Sequence, residues 1–332
     1  MPTLHRDRRS TSRWTFDREL VTKGSARLTP WLPSMIREFI SNMKDANMSG
    51  TNEKQVIVGI DGSEQAERAA LWAADEAVAR HARLRLIYVI RTDLSGTLTA
   101  AEYTTAVTTA KRALKSVRGR IDERGGGVTV STTIAHGAPA AVLVAESSDA
   151  DMVCVGWSGM NRMGIALMGS TATTVAENTT CPVAIVRTPA GDPVREPQSR
   201  WVIVSIGASS HHNCTVIADA ASESRNRGWP VLAVWTDSGQ DKSCVAAVNL
   251  LASQWRREYP DVHIYPVATN DGLVQFLQAS PELGGIIMID GDSSDDVSST
   301  INRIGHAVSV ELTVIVAHTV TSHEARSAAG RY

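Results

Sequence analysis

Apolar and polar positions follow two different periods along residues 54–188. Short, largely β-branched runs predict strands, and the segments between them carry apolar residues at helical spacing. The predicted strands are QVIVGI at 55–60, LRLIYVI at 84–90, and the runs at 128–134, 152–155 and 182–186. Helices are predicted directly after Ser63, across 104–124, at 138–148 and near 170–179. Strands and helices that alternate at this length favour a parallel, doubly wound α/β sheet.

The same order of runs begins again after residues 189–198, a linker that contains proline and glycine. WVIVSI at 201–206 mirrors the first strand, and runs at 230–235, 286–289 and 313–316 mirror three of the others. The repetition predicts an internal duplication of a domain of roughly 140 residues. We therefore assign residues 54–188 and 199–320 to two domains, followed by a tail at 321–332. Two copies of one fold commonly pair through equivalent surfaces, as in a symmetric dimer.

Residues 1–53 precede this pattern and differ from it in composition. Up to residue 47 they carry nine basic residues against five acidic ones. The pair Arg8-Arg9 resembles the start of a twin-arginine export signal, but no apolar run follows it, so we reject export. We interpret the segment as a disordered basic extension, or as the product of a start codon assigned upstream of Met43 or Met48.

Composition and net charge limit the kinds of partner that the protein is expected to bind. The 332 residues carry a net charge of −2, which gives the whole molecule no electrostatic preference for nucleic acid or an anionic membrane. No apolar run approaches the roughly 18 residues of a membrane-spanning helix. The four cysteines show neither a CxxC motif nor zinc-site spacing. These features predict a cytoplasmic protein that contacts neither nucleic acid nor membrane.

A glycine pattern follows the predicted strand at 152–155. Gly156 and Gly159 come first, and after nine further residues Gly169 precedes Ser170 and Thr171. Glycines let backbone N–H groups approach anionic oxygens, and a helix N-terminus favours phosphate. The pattern predicts a phosphate cradle at the carboxyl end of a strand, where doubly wound sheets bind ligands. A loop that binds nothing is the alternative, because short glycine patterns recur by chance.

The sequence contains none of the common catalytic motifs that we considered. Residues 164–171 resemble a Walker A loop without its lysine, so nothing there reaches the β- and γ-phosphates as that lysine does. The segment at 59–62 is not G-x-G-x-x-G, and neither a G-x-S-x-G elbow nor an HExxH motif occurs. The sequence therefore offers no obvious nucleophile or general base.

Residues 54–188 resemble a universal stress protein domain. The resemblance rests on VIVGIDGSEQAERAALWA at 56–73 and on VGWSGMNRMGIALMGSTATTVAENTTCPVAIVR at 155–187. The spacing G-x2-G-x9-G-[ST] is similar to that of the ATP-binding branch, and the tandem arrangement is similar to two-domain actinobacterial forms. The resemblance implies two tandem flavodoxin-like (Rossmann-like), doubly wound, five-stranded parallel sheets with strand order 3-2-1-4-5.

The resemblance also implies a ligand and the residues that hold it. The ligand is ATP, with Mg²⁺ as its companion ion, and Arg162 supplies the charge that many relatives place at the position of Met160. If Arg162 fails in this, ADP or cAMP becomes the better candidate. Asp61 meets the ribose, Val89 forms part of the adenine pocket, and Gly137 shapes a strand tip. The remaining predicted contacts are Gly156, Gly159, Gly169, Ser170 and Thr171.

The second domain departs from this pattern. Aligned by strands, Gly207 stands at the position of Asp61, Asp290 at that of Gly156, and Ser293 at that of Gly159. Residues 290–296 carry four aspartates that repel phosphate and that form either a solvated loop or a divalent cation site. We predict a degenerate copy, and hence one nucleotide site per chain.

The function that follows is a non-catalytic, nucleotide-dependent stress or signalling regulator in the cytoplasm, with an unidentified protein partner. Two alternatives stay open at this point. One is a slow ATPase or nucleotidyl transferase, and the other is an interaction module that binds ADP, cAMP or no nucleotide. The domains are expected to pair within the chain, and a homodimer is a further option.

Overall fold

The computed structural model describes residues 54–92, 99–157, 168–187, 199–206, 210–235, 249, 252–269, 272–291, 297–308 and 310–318. The predicted extension, linker and C-terminal tail lie outside these residues. The described part forms a single compact unit. None of its helices is long and apolar enough to cross a membrane.

The first half of this unit alternates strands and helices as the sequence predicts. Its elements are β1 (Gln55–Ile60), α1 (Glu64–Ala79), β2 (Arg83–Ile90), α2 (Ala100–Arg124), β3 (Val130–His136), α3 (Pro139–Glu146), β4 (Met152–Gly156), α4 (Ser170–Asn178) and β5 (Val183–Arg187).

The second half repeats the order of strands. Its elements are β6 (Ser199–Ile206), α5 (Ser210–Arg227), β7 (Val231–Trp235), β8 (Ile264–Ala268), α6 (Gly272–Ala279), β9 (Leu283–Asp290), α7 (Val297–Ala307) and β10 (Leu312–Ala317). Residues 252–258 are also helical.

Local chemistry sets the helix ends in the first half. The Ser63 hydroxyl accepts from the N–H of Ala66 at 3.1 Å and caps α1. Thr99 and Glu102 form a reciprocal capping box at the start of α2. The alanine stripe of α1 is buried against the sheet, because small side chains let the helix approach closely.

The strands form one ten-stranded sheet of order β3-β2-β1-β4-β5-β10-β9-β6-β7-β8. Within each half the order is the expected 3-2-1-4-5 and the pairs are parallel. The halves join where β5 and β10 pair antiparallel, with Ile185 opposite Val314. The doubly wound α/β fold is confirmed, and the two sheets are continuous with each other.

The duplication is visible in the way equivalent helices end. α1 passes into β2 through His81, which has a φ of +53°, and α5 passes into β7 through Gly228, at +68°. Both residues follow an arginine, Arg80 in the first half and Arg227 in the second. The two halves therefore place an arginine and a left-handed turn at the same point of the fold.

Each face of the sheet carries one hydrophobic core that spans both halves. On one face, α1, α2 and α5 pack over the sheet, and on the other, α3, α4, α6 and α7 do so. Because each core continues across β5 and β10, the halves stabilise each other by apolar burial as well as by strand pairing.

A cluster of four charged side chains joins α1 to α5 and follows the same internal symmetry. Arg80 binds Glu76 on its own helix and Glu223 on α5, the latter at 2.5 Å. Arg227 binds Glu223 on its own helix at 3.2 Å and Glu76 on α1. Both carboxylates are fully buried. Removing one member would leave buried charge uncompensated, so the cluster fixes how the two helices meet.

The two carboxyl groups of this cluster titrate differently. Burial raises the pKa of Glu223, and the adjacent charge of Glu76 raises it further, to about 7. Burial also opposes ionisation of Glu76, but Arg80, a hydrogen bond with Glu223 and Arg227 together lower its pKa. The carboxyl group of Glu223 therefore binds its proton more tightly than that of Glu76.

The raised pKa of Glu223 makes stability depend on pH. The folded chain holds a proton that the unfolded chain releases above about pH 4.5, so stability falls as the pH rises from there through 7. Glu223→Gln mimics the protonated form and removes this contribution. We expect its free energy of unfolding, relative to wild type, to increase between pH 5 and pH 8 in urea titrations.

The control for this experiment is Glu123→Gln, since Glu123 is exposed on α2. Its difference from wild type should stay constant over the same range of pH. A pH-independent difference for Glu223→Gln as well would contradict the assignment of the proton to Glu223.

Candidate functional site

A cavity of about 640 Å³ lies at the carboxyl ends of β1, β2 and β4, beside the N-termini of α3 and α4. Six of the residues predicted from the sequence line it: Asp61, Val89, Gly156, Gly169, Ser170 and Thr171. The structure thus brings together residues that are separated by more than a hundred positions in the chain. The parallel sheet accounts for this, because the carboxyl ends of its strands meet at one edge.

Asp61 is held in an exposed turn directly after β1. Its Oδ1 accepts from the N–H of Ser63 at 2.9 Å, and this bond fixes the turn that leads into α1. Asp61 lines the same cavity as Tyr88 of β2. Burial raises the pKa of Tyr88, and the charge of Asp61 adds to this effect. Asp61 is therefore an acceptor with a fixed position on the cavity wall.

The start of α4 presents donors to the same cavity. Gly169 is the N-cap residue, and no side chain among the described residues caps the helix. The N–H of Gly169 donates to the carbonyl of Trp157 at 2.9 Å. This bond joins the two ends of residues 157–169, which we call the glycine segment. The first-turn N–H groups of a helix lack partners within it and attract anions. Together with the hydroxyls of Ser170 and Thr171, they form the anion-binding side of the cavity.

Gly156 requires its small size because of a neighbouring helix. A Cβ at this position would lie 2.8 Å from the backbone carbonyl carbon of Gln65, in the first turn of α1. The glycine lets β4 end directly against the start of α1, next to Asp61 and Ser63. Gly156 therefore contributes to the site by letting β4 and α1, two of the elements that form it, pack closely together.

One predicted residue within the described part of the chain, Gly137, does not line the cavity. Gly137 has a φ of +130°, a backbone conformation that favours glycine, and its N–H donates to the carbonyl of Ile90 at 3.1 Å. It shapes the turn between β3 and α3. Gly159 and Arg162 lie outside the described residues, and their assigned contacts stay predictions.

The sequence reasoning missed two polar side chains at the end of β2. Tyr88 and Arg91 both line the cavity, and Arg91 adds a guanidinium to a wall that otherwise carries Asp61. Val89 was identified at the same strand end, so the available signal was position: every residue at the tip of a central strand is a candidate. Arg91 matters because the sequence analysis assigned the positive charge to Arg162, which lies outside the described residues.

The register of the strands tests the alignment of the two halves. Val58 pairs with Cys154 and Val204 pairs with Met288, which places Asp290 at the position of Gly156. By the same comparison, Trp235 occupies the position of Tyr88 and is buried. The second half thus has a carboxylate and an indole at the positions where the first half has a glycine and a phenol. Gly207 and Ser293 lie outside the described residues.

A second cavity, of about 910 Å³, lies between α1 and the second half. Its guanidinium groups are largely engaged already: Arg68 pairs with Glu64, Arg120 with Glu67 and Arg124 with Asp75. It contains neither the strand tips nor the start of α4. The smaller cavity is therefore the better candidate for a ligand site.

Comparison with known proteins agrees with the fold and with the resemblance. The model of the universal stress protein family matches residues 53–187. The universal stress protein Rv2624c of Mycobacterium tuberculosis is 33% identical over 265 residues, which cover 79% of this chain and 95% of that protein. The universal stress protein Rv3134c of the same organism is 31% identical over 252 residues, which cover 74% of this chain and 91% of that protein.

Among solved structures, a universal stress protein from Archaeoglobus fulgidus aligns with 80% of this chain and 96% of its own, with a TM-score of 0.61. The sequence identity is 16%, so this match supports the fold alone.

The packing of Gly156 leads to a prediction about stability. Gly156→Ala should destabilise the protein by about 2–3 kcal/mol, because the new methyl group meets rigid backbone. Gly59→Ala is the matched control, since its methyl group would meet the flexible end of Leu143, with Cδ1 at 2.9 Å. That variant should change stability by less than about 1 kcal/mol. Urea unfolding measures both, and equal losses would contradict the assigned contact.

Proposed function

Because this chain belongs to the universal stress protein family, we propose that the cavity at the tips of β1, β2 and β4 binds an adenine nucleotide. The observation that carries the proposal is the convergence of Asp61 and the uncapped start of α4 on one cavity. One is an acceptor suited to sugar hydroxyls, and the other is a set of donors suited to phosphate. A volume of about 640 Å³ is within the usual range for small-molecule sites.

In this proposal the phosphates lie at the start of α4. The N–H groups of its first turn and the hydroxyls of Ser170 and Thr171 donate to phosphate oxygens, and the helix dipole favours the negative charge. Arg91 supplies a cation from the opposite strand tip. ATP is the proposed ligand, with Mg²⁺ balancing part of its charge, and ADP and cAMP are the ligands to compare with it.

The nucleoside lies against the apolar part of the wall. Ile87, Val89 and Leu143 contribute aliphatic surface to the cavity, while Asp61 faces it from the end of β1. Apolar surface with a few fixed polar groups is the usual arrangement in cofactor sites. Asp61 is proposed to accept from the ribose hydroxyls, as the sequence analysis expects.

We further propose that occupancy of the site regulates a partner and is not coupled to catalytic turnover. A bound nucleotide alters a protein's behaviour only by binding its conformations with different affinities. The cavity wall is formed by strand tips and helix starts from separate parts of the chain. A bound ligand that contacts these elements together can bind one arrangement of them better than another.

The direct test is a change at Asp61. The purified full chain should retain adenine nucleotide, detected by mass spectrometry of released small molecules. Asp61→Ala should weaken ATP binding by about tenfold or more in calorimetry, because it removes a charged acceptor. Asp75→Ala, an acid on α1 that lines the larger cavity instead, should bind as wild type does. Equal affinity in all three proteins would contradict the proposed site.

Turnover separates the regulator from an enzyme. Incubation of the full chain with ATP and Mg²⁺ should release neither phosphate nor pyrophosphate above the level of a heat-denatured sample. Release that scales with protein concentration and is lost in Asp61→Ala would instead establish a slow ATPase or transferase.

A further inference from the structure

We infer that α7 of the second half positions the ligand-binding turn of the first half, so that ligand affinity depends on how the halves are docked. This inference rests on the proposed function for the identity of the ligand. The turn is the start of α4, namely Gly169, Ser170 and Thr171. Two contacts from α7 reach the residues that adjoin this turn, and a third joins α7 to α4 further along.

The first contact is made by Asn302. Its Oδ1 accepts from the N–H of Met168 at 2.9 Å, directly before Gly169. Its Nδ2 donates to the carbonyl of Ser298 at 3.0 Å on its own helix, which fixes the orientation of the amide. The side-chain amide of Asn302 is thus bonded through its nitrogen to α7 and through its oxygen to the residue that precedes the ligand-binding turn.

The second contact is made by Trp157, at the opposite end of the glycine segment. Its ring is buried against Gly305, where an added Cβ would lie 2.2 Å from Cζ2 of the indole. The Arg187 guanidinium lies 5.9 Å from the centroid of the ring and donates to the carbonyl of Val308, just after α7, at 2.9 Å. Only glycine at 305 leaves room for the indole in this position.

The third contact joins the two helices further along. The Ser298 hydroxyl donates to the Glu177 carboxylate near the end of α4. The antiparallel pairing of β5 with β10 accounts for all three contacts, because these strands directly follow α4 and α7 in their respective halves.

The carbonyl of Trp157 accepts from the N–H of Gly169, so both ends of the glycine segment meet at one place. α7 contacts this place from each side, through Gly305 at Trp157 and through Asn302 at Met168. A displacement of α7 would therefore move the donors that line the cavity. By linkage, a ligand that binds better to the docked arrangement stabilises that arrangement by the same factor.

Asn302→Ala tests the positioning by Asn302. It leaves the N–H of Met168 without its acceptor, and we expect ATP binding to weaken about tenfold in calorimetry on the full chain. Arg303→Ala is the matched control, since Arg303 is the next residue on α7 and is exposed. Amide hydrogen exchange in the nucleotide-free protein should accelerate for Met168 and Gly169 in Asn302→Ala and remain unchanged in Arg303→Ala.

Gly305→Ala tests the contact with Trp157. Alanine is a better helix former than glycine, so a purely local effect on α7 would be stabilising. We expect weaker ATP binding instead, because the methyl group displaces the indole. In a Trp157→Phe background the obstructing atoms are gone, and Gly305→Ala should have a much smaller effect on affinity. A double-mutant cycle on ATP affinity measures this coupling.

The outcomes separate the inference from the proposed function. If wild type binds ATP and Asn302→Ala and Gly305→Ala bind equally well, the positioning by α7 is wrong and the ligand site stands. If wild type binds no adenine nucleotide, the proposed function is wrong. The exchange measurement then decides the positioning alone: unchanged exchange at Met168 and Gly169 in Asn302→Ala overturns it.

Discussion

The antiparallel pairing of β5 with β10 is the constraint on which the rest of this structure depends. It makes two five-stranded sheets into one and relates the halves by an internal two-fold centred on the pair Ala184 and Ile315. The symmetry brings α1 beside α5 on one face of the sheet and α4 beside α7 on the other. The charged cluster on the first face and the contacts to the glycine segment on the second both follow from this geometry.

The two faces use that symmetry in opposite ways. On the face of α1 and α5, both halves contribute the same pair, a glutamate and an arginine four residues apart, so the interaction is reciprocal. On the face of α4 and α7, the halves contribute different chemistry. The first half presents the candidate ligand cavity, and the second presents Asn302 and Gly305 to the residues beside that cavity. A duplicated fold has thus kept a symmetric interface while its two strand-tip sites diverged.

The sequence was sufficient for the features that depend on local pattern. Alternating runs gave the elements, the glycine pattern gave Gly169 to Thr171, and the family resemblance gave Asp61 and Val89 as cavity residues. Features that depend on distant pairing were not accessible. The ring of Trp157 packs against Gly305, on the far side of the β5–β10 pair, and no local sequence pattern indicates that contact. From the sequence alone, Glu76 and Glu223 are expected to be ordinary acidic residues on helix surfaces. The fold places each of them beside the arginine of the other helix. Local periodicity identifies a buried face, whereas a partner on another helix requires the topology.

The divergence of the halves also bears on why a second half without the glycine motif is retained. Asp290 and Trp235 stand at the positions of Gly156 and Tyr88, so this strand-tip region lacks the glycine and the phenol at those positions. Its helix α7 nevertheless holds both ends of the first half's glycine segment. We predict that the second half binds no nucleotide, so its strand tips are free to vary while its docking residues support the candidate site of the first half. Coupling between binding and docking is reciprocal. A partner that alters the docking of the second half would therefore alter the affinity of the first for its ligand, and the ligand would alter the surface offered to that partner.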